Sequence, residues 1–151
     1  MAENHFDDPN IPDEERLFRR INLVHLVEGE NGQALLSSGA FSALELSVDI
    51  EGLMRDAGRD PGECLKNYPA GLLVSITAGE CRRHAQLVGK DPLPDNLAHG
   101  YVFGKKSSPT KKALRDAVRW IVPEQSPSWE EVLSLKDQSP HHLPIQGPAD
   151  I

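Results

Sequence analysis

Residues 72–80 read Leu72-Leu73-Val74-Ser75-Ile76-Thr77-Ala78-Gly79-Glu80, and this stretch sets the fold class. Leu72, Val74 and Ile76 fall at every second position, the period of a strand that buries one face. Thr77 ends the strand with a hydroxyl suited to capping a helix, and Glu80 three residues later completes a capping box. A strand that feeds straight into a short helix predicts an α+β domain. Residues 44–50 repeat the strand signal: Leu44, Leu46, Val48 and Ile50 alternate strictly with Glu45, Ser47 and Asp49, which predicts one apolar and one polar face.

Working outward, Arg16–Ile21 is a first strand, with His25–Val27 as an irregular extension. Residues 28–32 form a turn around Asn31-Gly32, and Ala34–Leu36 returns as a short strand before Ser37-Ser38-Gly39 breaks it. Glu51–Ala57 is a short helix stopped by Gly58. Asp60 and Pro61 start a second one, which Pro69 and Gly71 end. A helix over 78–85 follows the strand at 72–76. Pro92 and Pro94 make 90–95 a loop, and 98–103 is a strand. Ser108 caps and Pro109 opens a helix over 109–120 whose apolar stripe is Leu114, Ala117, Val118 and Ile121. Ser128 and Glu131 form a further capping box for a short helix in which Trp129, Val132 and Leu133 pack back on the domain. About four strands and three or four short helices, irregularly interleaved, predict a single compact α+β domain with a mixed or mostly antiparallel sheet. Neither G-x-G-x-x-G nor G-x-x-x-x-G-K-[ST] occurs.

A chain of 151 residues is one domain by length. Its ends are acidic, proline-bearing or both, and too poor in apolar residues to order themselves. The expected organisation is a disordered acidic tail over 1–15, the domain over 16–135, and a disordered Pro-rich tail over 136–151. The net charge of −7 argues against nucleic acid as a partner. No apolar run approaches the roughly 18 residues that would cross a membrane. The acidic N-terminus has no leader-like apolar core, and only two cysteines occur. The expectation is a cytoplasmic protein with reduced thiols. Lys105–Arg119 is the most basic segment. Lys111, Lys112, Arg115 and Arg119 read as a solvated helical face, or as a patch that meets an acidic or phosphate-bearing partner.

Three constellations could carry chemistry. Cys81 and His84 share a helix face and Cys64 could add a third ligand, but structural zinc wants four, so no metal site is assigned; His141-His142 is at most an incidental binder. Cys81 near a helix N-terminus, followed by Arg82, Arg83 and His84, could be an activated thiolate; the plainer reading is a structural cysteine. The third set is Arg19 and Arg20 on the first strand, Ser37, Ser38 and Phe41 in the next loop, Ser47 on the polar strand face, and His99 on a late strand. An arginine and a serine on neighbouring strands can hold a phosphate or carboxylate, and His99 can add a donor or a base. The plainer reading makes the arginines surface charges and Ser37-Ser38-Gly39 an ordinary loop.

The series F-R-R-I (18–21), S-S-x-A-F (37–41), L-S-V (46–48), D-P (91–92) and A-H (98–99) resembles a family of small bacterial proteins, which brings no activity to the reading. The chain is also similar to the RES-type toxins, which have an ADP-ribosyltransferase-like fold and consume NAD. The shared features are an early strand Arg, a Gly-Ala loop, a serine-bearing strand and a late segment running into Trp120-Ile121-Val122-Pro123. The Gly-Arg-Trp-Asn-like segment of that family is missing, and its helix glutamate is missing unless Glu51 serves. That resemblance implies that Arg19 or Arg20 binds NAD and Ser47 positions it. With no complete catalytic set, the leading expectation is a binding or regulatory protein of a bacterial defence or toxin-related operon, with a protein partner and no cofactor. The alternative is an enzyme acting on NAD or another phosphate-bearing small molecule.

Overall fold

These signals produce eight strands among the described residues of the computed structural model, which are 5–68 and 71–138. They are β1 (Arg16–Ile21), β2 (Leu26–Glu28), β3 (Ala34–Leu36), β4 (Glu45–Ile50), β5 (Leu72–Thr77), β6 (Leu87–Lys90), β7 (His99–Phe103) and β8 (Arg119–Val122). Six of them form one antiparallel sheet in the order β6–β7–β4–β1–β5–β8, and β2 pairs with β3 as a separate hairpin. The helices are α1 (Glu51–Asp56), α2 (Ala78–Arg83), α3 (Ser108–Ala117) and α4 (Trp129–Gln138), with 3-10 turns at Leu23–His25, Ser38–Phe41 and Pro61–Leu65. The α+β class and the antiparallel sheet are as the sequence predicts. None of the helices among the described residues is long and apolar enough to cross a membrane.

Strand alternation divides the core unequally. Leu17, Ile21, Leu46, Val48, Ile50, Leu72, Val74 and Ile76 point to one face, where Phe41, Cys81, Leu114 and Val132 cover them. Fully burying each large aliphatic of that set stabilises the fold by roughly 1.5–3 kcal/mol. Phe18 and Leu73 point to the other face and meet only Met54, Cys64 and Ala98 as buried apolar partners among the described residues. The sheet is therefore thickly covered on one side and thinly on the other, which leaves room for a cavity on the thin side.

Several boundaries differ from expectation, each for a local reason. The segment 118–122 leaves the helix: α3 stops at Ala117, and Arg119–Val122 pairs with β5 as an edge strand. Val118, Trp120, Ile121 and Val122 are β-branched or aromatic, and strand pairing outweighs the weak helical stripe. The cap of α3 is Ser107, whose hydroxyl accepts from the Thr110 amide, and not Ser108. Asp60 makes no side-chain cap, and 61–65 is a 3-10 turn. Pro69, expected to help end that turn, lies outside the described residues. Residues 25–27 divide between a 3-10 turn and β2. Leu87-Val88-Gly89-Lys90 shows no alternation, yet it forms β6, because its neighbour β7 holds it by pairing. In α4 the Ser128–Glu131 capping box forms reciprocally, at 2.9 and 3.1 Å, and Val132 is buried while Leu133 is exposed.

The N-terminal segment expected as a disordered tail is packed from residue 5 to residue 15. The Asp8 amide donates to the Val88 carbonyl on the outer edge of β6, and Ile11 is buried in the core. Arg82 donates to the carboxylates of Asp7 and Asp13 and to the Asp8 carbonyl, so the acids of this segment have a cation to meet. The Tyr101 hydroxyl accepts from the Phe6 amide and donates to the Phe6 carbonyl. Residues 1–4 and 139–151, including His141 and His142, lie outside the described residues.

Gly89 faces the Tyr101 phenol so closely that a Cβ would overlap the ring and its hydroxyl. Gly89→Ala is expected to lower stability by roughly 1–3 kcal/mol, the range for overpacking. It should also free residues 5–10 from Tyr101. Denaturant unfolding checks the first effect, and faster proteolysis near Phe6 checks the second.

Candidate functional site

The site begins where two strands part. β1 pairs with β5 along its whole length but with β4 only at Leu17–Ile50 and Phe18–Asp49. Beyond Phe18 the ladder to β4 stops, and the Arg19 guanidinium fills the seam. It donates to the Ser47 carbonyl at 3.1 Å and to the Ala40 carbonyl at 3.0 Å, bonds that replace missing ladder contacts. Burial and the adjacent Arg20 lower its pKa. Lys106 works the same way nearby. Its ammonium donates to the carbonyls of Ala43, Leu44 and Gly104, and burial pushes its pKa down to about 8.

On the thin face the parting opens a cavity of about 600 Å³. Its floor is Phe18 and Arg20 of β1, Ser47 and Asp49 of β4, and His99 of β7, all brought to one face by alternation and by the Asp49–His99 pairing. One wall is Arg59 with the 3-10 turn and the residues after it, Glu63, Cys64, Lys66, Asn67 and Tyr68. The other is the loop residues Leu93, Asp95 and Asn96.

Asp49 ties these walls to the floor. Its carboxylate is buried, accepting from Asn96 Nδ2 at 2.7 Å and from Cys64 Sγ at 3.1 Å, with Arg59 Nη2 at 3.9 Å. Arg59 in turn donates to Asn96 Oδ1 at 2.9 Å. A buried carboxylate needs such donors, because each lost one would leave charge in a dry setting.

Other groups in the cavity keep free hydrogen-bonding capacity. Among the described residues the Arg20 guanidinium has no carboxylate or carbonyl partner; it lies over the Tyr68 ring, 4.0 Å from the centroid. The cation–π contact holds the guanidinium in place and leaves its N–H groups for a ligand. The Ser47 hydroxyl is likewise unpaired among the described residues, and Ser47 is exposed. His99 Nδ1 lies 2.9 Å from the Asp91 carbonyl, which can only accept, so Nδ1 carries a proton and Nε2 is the nitrogen left to accept one; His99 lines the cavity.

The structure thus brings Arg19, Arg20, Ser47 and His99 to one cavity and divides the arginines by role. The other candidates lie elsewhere. Phe41 is core at 1% exposure, so it offers no binding surface. The Ser37 hydroxyl caps the turn by accepting from the Gly39 amide, and Ser38 opens that turn. Lys111, Lys112 and Arg115 sit on α3 and Arg119 on β8, so they do not share one helical face, and none lines the cavity. Arg115 bonds Asp116 beside it. Glu51 is ion-paired with Arg16, which holds its carboxyl below the usual range, and it too lies outside the cavity.

Neither thiol is activated. Cys81 is fully buried on α2, and burial pushes its pKa up to about 12, outweighing Lys106 and Arg82 nearby. Burial and the Asp49 carboxylate raise Cys64 to about 12 as well. The two cysteines belong to core clusters on opposite faces of the sheet, so Cys64 cannot complete a ligand set with Cys81 and His84. Sequence reasoning misses Asp49, Arg59 and Asn96. Asp49 sits on the face that alternation alone reads as solvated, and nothing local to Arg59 or Asn96 marks them.

Comparison with protein-family models, curated proteins and solved structures finds no match to this chain.

At pH 8 both cysteines should resist iodoacetamide in the folded protein, since thiolate is the reactive form and neither thiol ionises there. Both should alkylate within minutes in guanidinium chloride. Mass spectrometry reads the outcome; rapid labelling of Cys64 or Cys81 in folded protein would contradict it.

Proposed function

We propose that this domain binds a phosphate-bearing small molecule in the cavity on the thin face of the sheet, as a small binding or regulatory protein of the bacterial cytoplasm. The observation that carries this reading is Arg20. It is a cation held over the Tyr68 ring, with no acid paired to it among the described residues, in the cavity that Ser47 and His99 also line. A bidentate arginine with a neighbouring hydroxyl is a well-suited receptor for phosphate oxygens. The volume is in the range of sites that enclose molecules of nucleotide size. NAD is the ligand to test first, and its consumption is the enzymatic form of the same reading.

Binding of ADP-ribose, NAD and inorganic phosphate is measured by calorimetry. Arg20→Ala should weaken the best of these by about tenfold to a hundredfold, the worth of roughly 1.5–3 kcal/mol for hydrogen bonds to a charged group. Failure of all three ligands to bind the folded protein, at low and at moderate salt alike, would overturn the reading.

A partner-docking role has its own observation. Val24, Val27 and Leu35 stand 78, 47 and 53% exposed, and Val27 and Leu35 are a cross-strand pair on the outer side of the β2–β3 hairpin. A stoichiometric protein partner recovered from the native host should be lost in the double variant Val27→Ser, Leu35→Ser. Equal recovery by both would remove this role from the hairpin.

A further inference from the structure

We propose that the cavity is catalytic: Ser47 is a nucleophile that takes a phosphoryl group from a phosphomonoester, with His99 as its general base. This rests on the reading that the cavity holds a phosphate-bearing molecule.

The sheet sets the geometry. Ser47 pairs with Tyr101 and Asp49 with His99 across β4 and β7, so Ser47 and His99 are diagonal neighbours on one face. Diagonal Cα atoms in an antiparallel pair lie about 7–8 Å apart, within reach of a serine hydroxyl and the far nitrogen of a histidine ring. Both side chains line the cavity. The Asp91 carbonyl fixes the proton on Nδ1, and the Asp91 carboxylate stands 3.6 Å from the same nitrogen. Nε2 is therefore the nitrogen that receives a proton. The Ser47 backbone is held in turn by Arg19, which donates to its carbonyl. A nucleophile on a rigid strand, a base with a fixed tautomer and a guanidinium for the phosphoryl oxygens make up the minimum set for such a transfer.

The step balances within these groups. Ser47 Oγ bonds to phosphorus as the ester P–O bond breaks. The hydroxyl proton passes to His99 Nε2 and from there to the departing alkoxide, which leaves as the alcohol. Water then attacks the phosphoserine, His99 takes its proton and returns it to Ser47 Oγ, and inorganic phosphate departs. Arg20 holds the equatorial oxygens throughout. The thiol of Cys64 is excluded as the nucleophile because it is buried and donates to Asp49.

The test uses the full chain with p-nitrophenyl phosphate for turnover and an alkyl fluorophosphonate for labelling. Expected are measurable p-nitrophenol release and a single covalent adduct on Ser47 by peptide mass spectrometry. Both should vanish in Ser47→Ala and fall about a hundredfold or more in His99→Asn, the lower range for loss of a general base. His99→Gln serves as a second replacement of the base, and circular dichroism checks that each variant is folded. Turnover that persists in Ser47→Ala overturns the assignment of the nucleophile. Inorganic phosphate binding by calorimetry separates the two readings. Phosphate bound by both wild type and Ser47→Ala, with no adduct and no turnover, overturns the transfer and leaves the binding site standing. Phosphate, ADP-ribose and NAD bound by neither removes both.

Discussion

The Asp49 carboxylate is the interaction on which the cavity depends. It is buried on a central strand, and three separate segments approach it: the loop at Asn96, the 3-10 turn at Cys64, and Arg59 in the stretch that follows α1. None of these segments carries enough apolar surface to dock by burial alone, since the core on this face is small. A charge that must be satisfied supplies the missing constraint. Its donors arrive from fixed directions, so the walls stand at a fixed distance from the floor. The cavity is the space left between walls that a polar hub, rather than a packed layer, holds apart.

The two faces of the sheet solve opposite problems with the same chemistry. On the thick side Arg19 and Lys106 are half-buried cations that satisfy backbone carbonyls where the strands and turns leave them orphaned. Among the described residues their partners are carbonyl dipoles and not carboxylates, and burial lowers both pKa values accordingly. On the thin side a buried anion gathers its donors. On that side Arg59 serves the fold at Asp49 and Asn96, and Arg20 is the arginine left open to a ligand.

The periodic parts of the fold are legible in the sequence. Alternation at 44–50 and 72–76 marks the central strands, and the Thr77 cap and the Ser128–Glu131 box place two helix starts, because those signals depend on residues close in the chain; the Glu80 carboxylate turns to Arg83 and leaves the first box half made. What escapes depends on distant partners. β6 exists because β7 and the Asp8 amide pair with it, and 118–122 is a strand because β5 offers an open edge. The N-terminal acids read as a solvated tail because their cation, Arg82, lies 75 residues from Asp7 and 69 from Asp13. For the site, residue type is enough to select Arg19, Arg20, Ser47 and His99. Their supports are invisible, since Asp49 looks like one more polar residue on an outward face.

Adjacent arginines on one strand show why residue type alone cannot assign the roles. Alternation sends Arg19 and Arg20 to opposite faces, so at most one can meet a ligand on the thin side with its whole guanidinium. Arg19 has two carbonyl acceptors and little freedom to leave them, because the carbonyl of buried Ala40 would lose its donor. Arg20 has a ring beneath it and no acceptor among the described residues. Binding an anion at Arg20 costs no hydrogen bond of those described, whereas binding at Arg19 would cost two. The division follows from which arginine the parting of β1 from β4 must use to close the seam, and the other is left for function.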